Sequence, residues 1–330
     1  MDILDVLGIT TIMDSIKKKI EHTEKSIINN NPINYNYRPQ YLDEYIGQEQ
    51  AKDNVRLNIK EIIEQNPVHF LLSGRAGTGK TTLAYIIANH IGFKIHYYIG
   101  GTFDLSSLFD FLYLNQESSI PNVLFIDEIH SLKKDVIEML YPILEDFKTV
   151  NDVQIRKFVF IGATTNKFVL IKKYKPLVDR IDGQIELENY TQEDIIKILK
   201  QYNQQVYKQE IDEKIYNILS LNSRFTPRIA IQMFRKFVVC KDINRILKAN
   251  NIVTEGLTNK DIIILKHLEE VKKPVGEETL SIVSGTDKAN YHYVIEPYLI
   301  EYGYIGKVRG GRILLDKGKQ LLQQIKGEIK

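Results

Sequence analysis

Cysteine is almost absent from this chain: Cys240 is the only one among 330 residues. A lone thiol excludes an internal disulfide and any zinc cluster built from several cysteines, and its expected role in a reducing compartment is that of a buried structural group. Uninterrupted apolar runs of membrane-spanning length are also missing. The first residues carry Asp2 and Asp5 where a leader would have a basic start before an apolar stretch. Both features speak against membrane insertion and secretion and for a cytoplasmic protein. Nor is there a surplus of either charge, since 44 basic against 42 acidic residues leave a formal +2. Attraction to nucleic acid must then come from local clusters, because overall charge neither demands nor excludes it. Apolar residues are plentiful, at 43%. In a chain this long they suffice for two or three separate cores.

The pattern of those residues divides the chain. Residues Met1 to Ile28 have helical apolar spacing with a lysine run at Lys17 to Lys19, and Asn29 to Tyr37 is rich in Asn, Pro and Tyr. An amphipathic helix and a linker are expected, acting as a solvated or partner-docking arm. From Val68 onward, short apolar runs alternate with amphipathic helices: Val68 to Leu72, Ile95 to Ile99, Val123 to Ile126, Phe158 to Ile161 and Gln184 to Leu187. Such alternation predicts an α/β fold with a parallel sheet flanked by helices. Thr191 to Val239 reads as helical, with Thr191 and Asp194 placed as a capping box. From Leu257, three short helical patterns precede a hairpin whose strands flank Gly310-Gly311, a pair able to adopt the positive φ of a tight turn. Helices followed by a basic hairpin predict a winged helix. The expected units are 1–37 as extension and linker, 38–188 as the large domain, 189–256 as a small helical domain, and 257–330 as the winged helix.

Two motifs carry chemistry. Gly74-Arg-Ala-Gly-Thr-Gly-Lys80-Thr81 fits G-x-x-x-x-G-K-[ST], directly follows an apolar strand and opens the helical pattern Thr82 to His90. Glycines allow backbone N–H groups to close around phosphate oxygens, Lys80 reaches the terminal phosphates and the Thr81 hydroxyl can ligate magnesium. A nucleoside triphosphate with Mg2+ is the ligand implied. Val123-Leu-Phe-Ile-Asp-Glu128 then sets two carboxylates at the end of a buried strand, beside the phosphate loop if the sheet is parallel. Adjacent carboxylates repel unless a cation is near, so Asp127 is assigned to magnesium through water and Glu128 to activation of the attacking water. Otherwise they form an exposed acidic turn. A third strand ends in Gly162-Ala-Thr-Thr165, where Thr164 and Thr165 can sense the γ-phosphate or position water, although Thr-rich strand ends are common. At the far end, Lys307, Arg309 and Arg312 lie on the hairpin without an acidic residue between them, and the preceding helix offers Lys288, Asn290 and His292. Hairpin cations suit sequence-independent phosphate contacts.

With these residues in view the chain resembles the AAA+ ATPases and, among them, the RuvB family. Arg38-Pro-Gln-Tyr-Leu-Asp-Glu-Tyr-Ile-Gly-Gln48, the phosphate loop through Ala84, Leu124-Phe-Ile-Asp-Glu-Ile-His130, Tyr141-Pro-Ile-Leu-Glu-Asp-Phe147 and Gly162 to Thr165 carry the likeness. Thr226-Pro-Arg-Ile-Ala230 and the stretch from Pro274-Val-Gly276 to Glu296-Pro-Tyr-Leu299 narrow it beyond AAA+ proteins at large. The resemblance implies an ATP-dependent motor that drives branch migration of Holliday junctions. It implies that Tyr37, Arg38, Tyr45 and Ile46 line the adenine and ribose side, and that Gly77, Gly79, Lys80, Thr81 and Thr82 hold phosphates and Mg2+. By the same resemblance, Glu145, Asp146, Phe147 and Tyr190 border the nucleotide, and Arg228 is a second sensor reaching from the helical lid to the γ-phosphate. Arg180 resembles an arginine finger that completes the site of a neighbouring subunit, which implies a homo-oligomeric ring, a hexamer. Lys307 and Arg312 match the family's DNA-contacting cations best.

The chain also departs from the family. Only 14 residues separate Phe147 from Gly162, whereas the family has about ten more, forming a hairpin that docks the junction-binding partner RuvA. Recruitment of a RuvA-like partner through that hairpin is therefore in doubt, and the N-terminal extension is an alternative attachment. Arg75-Ala76 replace the common Pro-Pro of the loop, and Val178 and Ile181-Asp182 replace the usual neighbours of the finger. A second reading is a DNA-bound loader or assembly factor that uses ATP as a conformational switch with little motor activity. A catalytically dead interaction protein fits poorly with an intact loop, acidic pair and finger.

Overall fold

The computed structural model describes residues 37–64, 68–149 and 152–328. The helix expected over Met1 to Ile28, and the linker up to Asn36, lie outside the described residues.

Five strands form the central sheet: β1 (Phe70–Ser73), β2 (Lys94–Ile99), β3 (Asn122–Asp127), β4 (Val159–Thr164) and β5 (Gly183–Glu186). They are all parallel, in the order β2-β3-β4-β1-β5. The three inner strands are apolar on both faces. Val123, Phe125, Val159, Ile161, Phe70 and Leu72 enter one core, while Leu124, Ile126, Phe158, Phe160 and Leu71 enter the other. Side chains alternate across a strand, so a strand covered by helices on both sides must be apolar throughout. This is why β1, β3 and β4 read as continuous apolar runs. Helices α1 (Glu49–Ile63) and α2 (Lys80–Ile91) contribute to the first core, and α3 (Leu105–Glu117), α4 (Lys134–Asp146) and α5 (Lys167–Val178) to the second. The strand order reverses between β1 and its neighbours, which opens a crevice at the carboxyl edge where the loop after β1 meets the ends of β3 and β4.

The helices α6 (Gln192–Val206), α7 (Glu213–Asn222), α8 (Pro227–Cys240) and α9 (Ile243–Ala249) enclose a third core around Leu199, Tyr202, Met233 and Phe234. The expected capping box opens α6: the Thr191 hydroxyl accepts from Asp194 N–H and the Asp194 carboxylate accepts from Thr191 N–H. Cys240 at the end of α8 is half-buried, not the buried group expected; its thiol points along the surface toward the Asp242 carbonyl.

After a short ribbon, β6 (Ile252–Thr254) with β7 (Leu257–Thr258), a fourth core forms from α10 (Asn259–Val271), α11 (Glu277–Val283), α12 (Lys288–Asn290), a π-helical turn over Tyr291–Ile295, α13 (Glu296–Glu301) and α14 (Asp316–Glu328). The wing is the antiparallel pair β8 (Ile305–Val308) and β9 (Gly311–Leu314), with Gly310 at φ 98 and Gly311 at φ 150. Gly311 also passes close to another backbone. A Cβ there would lie 2.4 Å from the Val275 carbonyl, because Val275 and Arg312 exchange two backbone hydrogen bonds.

In the segment where the sequence is too short for a long partner-docking hairpin, the described residues form an antiparallel bridge between Lys148 and Gln154.

Candidate active site

The phosphate loop closes on itself around Lys80. That side chain is buried, and its Nζ donates to the carbonyls of Gly74 and Arg75 at 2.8 Å each. Burial pulls the Lys80 ammonium below its ordinary pKa, the Glu128 and Asp127 carboxylates oppose that, and Arg228 adds to the lowering. Two tyrosines steady the loop from behind: Tyr45 and Tyr190 both donate to the Thr78 carbonyl, at 3.3 and 3.1 Å. Burial pushes the Tyr190 phenol up to about 12, so it remains a donor. Gly79 is required here. Its φ is 102, and a Cβ would sit 2.3 Å from the Tyr45 hydroxyl.

On the facing strand ends, the Thr81 hydroxyl donates to Asp127 Oδ2 at 3.1 Å. A hydroxyl and a carboxylate converging at the mouth of a phosphate loop make the oxygen donor set that magnesium takes. Glu128 stands in the left-handed region at φ 52, a costly conformation for a residue with a side chain. It is held there by Asp127 Oδ1, which accepts from its N–H at 3.0 Å. Its carboxylate accepts from the Thr165 hydroxyl at 2.8 Å and N–H at 3.2 Å, and lies 3.2 Å from His130 Nδ1. Glu128 is thereby tethered at the end of β4. The same His130 nitrogen is 3.0 Å from Thr164 Oγ1.

These groups face a cavity of about 350 Å³ between the sheet edge and the helical lid. Tyr37, Arg38, Tyr45, Ile46, Gly77, Gly79, Lys80, Thr81, Thr82, Asp127, Glu128, Thr165, Tyr190 and Arg228 all line it. From the lid come Gln201, Gln232 and Arg235, which sequence patterns did not single out because nothing local marks a helix face as the roof of a cavity. His130 likewise carries no assigned role in the sequence motifs. Its place in the strand-end motif was the available signal, but its partner Thr164 is 34 positions away.

Other expected site residues lie elsewhere, and the assignment of Thr164 needs correction. Thr164 does not line the cavity; it is fully buried, and its hydroxyl serves His130 and the Asn166 N–H. Glu145, Asp146 and Phe147 do not border this chain's own cavity. Phe147 is buried against His69 and Phe158, in the core on one face of the sheet. Arg180 lies with them: its Nε and Nη2 reach Glu145 Oε2 at 2.8 and 2.7 Å, Nη1 donates to the Pro176 carbonyl, and its guanidinium covers the Tyr141 ring.

At the wing, Lys307 and Arg309 are exposed and pair with no described residue. Arg312 needs correction as well. It is 7% exposed, with Nη2 3.0 Å from Glu277 and Nε bonded to Glu296, so its charge is spent inside the domain and is not available to a phosphate. On the preceding helix His292 sits beside the same two carboxylates and Asn290 donates to Thr286, which leaves Lys288 exposed. Among the described residues no helix is long and apolar enough to cross a membrane.

Comparison with known proteins follows the same outline. Residues 37–187 match the family described as the Holliday junction DNA helicase RuvB P-loop domain, and residues 254–323 match the RuvB C-terminal winged helix domain. The chain is 32% identical over 320 residues to the Holliday junction branch migration complex subunit RuvB of Ehrlichia canis, covering 88% of this chain and 94% of that one. The protein of the same name in Acholeplasma laidlawii is 35% identical, covering 86% and 90%. Among solved structures, the Thermotoga maritima RuvB Holliday junction branch migration motor aligns with a TM-score of 0.73 at 34% identity, over 87% of this chain and 98% of that chain.

Proposed function

The chain belongs to the RuvB family, and from that premise we propose that it is an ATP-driven motor that moves duplex arms through four-way DNA junctions. The observation that carries the reading is the cavity in which a buried lysine, a Thr–Asp pair, a tethered glutamate and a lid arginine converge. Within it Lys80 neutralises the terminal phosphates and Glu128 takes the proton of the attacking water once Thr165 and His130 release it. Thr81 and Asp127 would hold magnesium, which when bound would supply charge neutralisation at the phosphates. Arg228 reports on the γ-phosphate from the lid, and Tyr37, Arg38, Tyr45 and Ile46 receive the base and ribose.

Arg180 serves as the finger in trans. It does not line its own chain's cavity, and on this reading the face it shares with Glu145, Asp146 and Phe147 is the one offered to a neighbour's nucleotide, in a ring of six. Segments 38–188, 189–256 and 257–330 act as ATPase domain, lid and DNA-binding unit, a division that their separate apolar cores support, and 1–37 acts as an arm. Lys307 and Arg309 grip duplex phosphates without reading bases. With its docking hairpin reduced to one bridge, recruitment of a RuvA-like partner passes to other surfaces, and the N-terminal arm is the candidate.

The purified protein, given ATP, magnesium and a synthetic four-way junction, is expected to dissociate the junction into duplex products in a hydrolysis-dependent way. ATP turnover and junction binding without movement, with and without a junction-binding partner, would replace the motor by an ATP-operated loader.

A further inference from the structure

Glu301 ends α13 in the winged helix, yet it faces the phosphate loop. Arg75 Nη1 lies 2.5 Å from Glu301 Oε2, and Asn189, between β5 and the lid, donates to Oε1. Arg75 is also tied to the catalytic lysine through its main chain: its carbonyl accepts from Lys80 Nζ and from the Thr78 hydroxyl, both at 2.8 Å. One residue thus touches the phosphate-binding lysine with its backbone and the DNA-binding unit with its side chain.

The seam between lid and winged helix is of a different kind. Arg224 bonds Asp261, donates to the Gly256 carbonyl at 2.9 Å and lies 4.6 Å over the Tyr298 ring. Its side chain is 15% exposed and that of Asp261 fully buried, whereas the Arg75 and Glu301 side chains are 41% and 33% exposed. Breaking a buried pair strands a charge in the interior, while a half-exposed pair opens cheaply into water. The lid and winged helix therefore stay joined, and the loop-to-wing contact is the one able to open and close.

Triphosphate binding acts on this contact from the loop side. Lys80 Nζ exchanges the Gly74 and Arg75 carbonyls for phosphate oxygens, which leaves the Arg75 carbonyl to Thr78 alone and lets the loop that carries the Arg75 side chain shift against Glu301. We propose that Arg75 is a positioning residue that, paired with Glu301, latches the winged helix to the nucleotide-free phosphate loop, and that a bound triphosphate opens the latch. This rests on the reading that the cavity takes ATP and the wing meets duplex DNA. It adds a path from phosphate to wing that bypasses the lid arginine.

The test measures the affinity of the full-length protein for a fluorescent duplex, without nucleotide and with a non-hydrolysable ATP analogue. The parent is expected to show a change of about fivefold or more between the two states. Arg75→Ala and Glu301→Ala should reduce that ratio to near one, Arg75→Lys should keep most of it, and the paired exchange Arg75→Glu with Glu301→Arg should restore it. A merely structural contact would lower thermal stability and leave the ratio alone. Single variants with the parental ratio, or a paired exchange no better than either single change, overturn the latch. A parent that binds neither the analogue nor the duplex overturns the functional reading itself, before any variant is made.

Discussion

Glu128 shows how much a single side chain can be asked to hold. Its left-handed backbone is strained, and its carboxylate, half-exposed at the cavity, is engaged by Thr165 and His130, so the structure describes a base held by other partners. Glu128→Gln keeps the shape and the Thr165 donor but cannot take a proton. It is expected to lower kcat for ATP at least about a hundredfold while binding a fluorescent ATP analogue as the parent does; turnover near the parental rate would remove Glu128 from the chemistry. His69 gives a second prediction at this scale. It is buried between β1 and β4, Nδ1 accepts from Phe160 N–H and Nε2 meets the Leu144 carbonyl, both at 3.1 Å. Burial pulls its pKa from 6.5 to about 4 despite the Leu144 bond. The folded pKa is below the unfolded one, so the unfolded chain binds the proton more readily. Stability is therefore complete above pH 6.5 and falls as the pH drops toward 4, by up to about 3 kcal/mol from this group. Urea melts of the parent against His69→Gln across that window should converge at low pH, and parallel curves would show that His69 is not the group responsible.

Among elements, the wing hairpin is the most instructive. The hairpin carries three cations that look equivalent in the sequence, but Lys307 on β8 and Arg309 in the turn face solvent while Arg312 on β9 is clasped by Glu277 and Glu296, 35 and 16 residues away. Their substitutions should therefore separate. Lys307→Ala and Arg309→Ala should each reduce the slope of log affinity for duplex against log salt by about one while leaving unfolding unchanged. Arg312→Ala should instead cost about 3 kcal/mol of stability in the winged helix, because two carboxylates lose their cation in the interior. An unchanged denaturation midpoint together with a smaller salt slope would return Arg312 to the DNA-facing set. The strands and helices of the ATPase domain were easier to foresee. Strands covered on both faces are apolar throughout, and the Thr191–Asp194 capping box announces the start of α6 in four consecutive residues.

For the whole molecule, the proposed ring turns on the relation between one chain's cavity and another chain's Arg180. If the finger works in trans, Lys80→Ala subunits retain an intact finger and Arg180→Ala subunits an intact loop, each inactive alone. Mixed, they should recover DNA-stimulated ATP turnover wherever a sound loop faces a sound finger. No recovery in rings shown to contain both chains would place Arg180 in a purely structural role beside Glu145.

What the sequence by itself determined is what short range can encode: the alternation that makes a parallel sheet, the loop spacing that closes glycines and Lys80 around phosphate, and the acidic pair at a strand end. Only the tertiary structure decided which charges remain available. Arg312 is neutralised by carboxylates from other helices, Arg180 is paired with Glu145 and does not line its own cavity, Thr164 is spent on His130, and Arg75 joins the phosphate loop to the winged helix. The physical reason is that a charge's function depends on its partners and its access to water, and those are set by groups that the fold brings together from dozens or hundreds of positions apart.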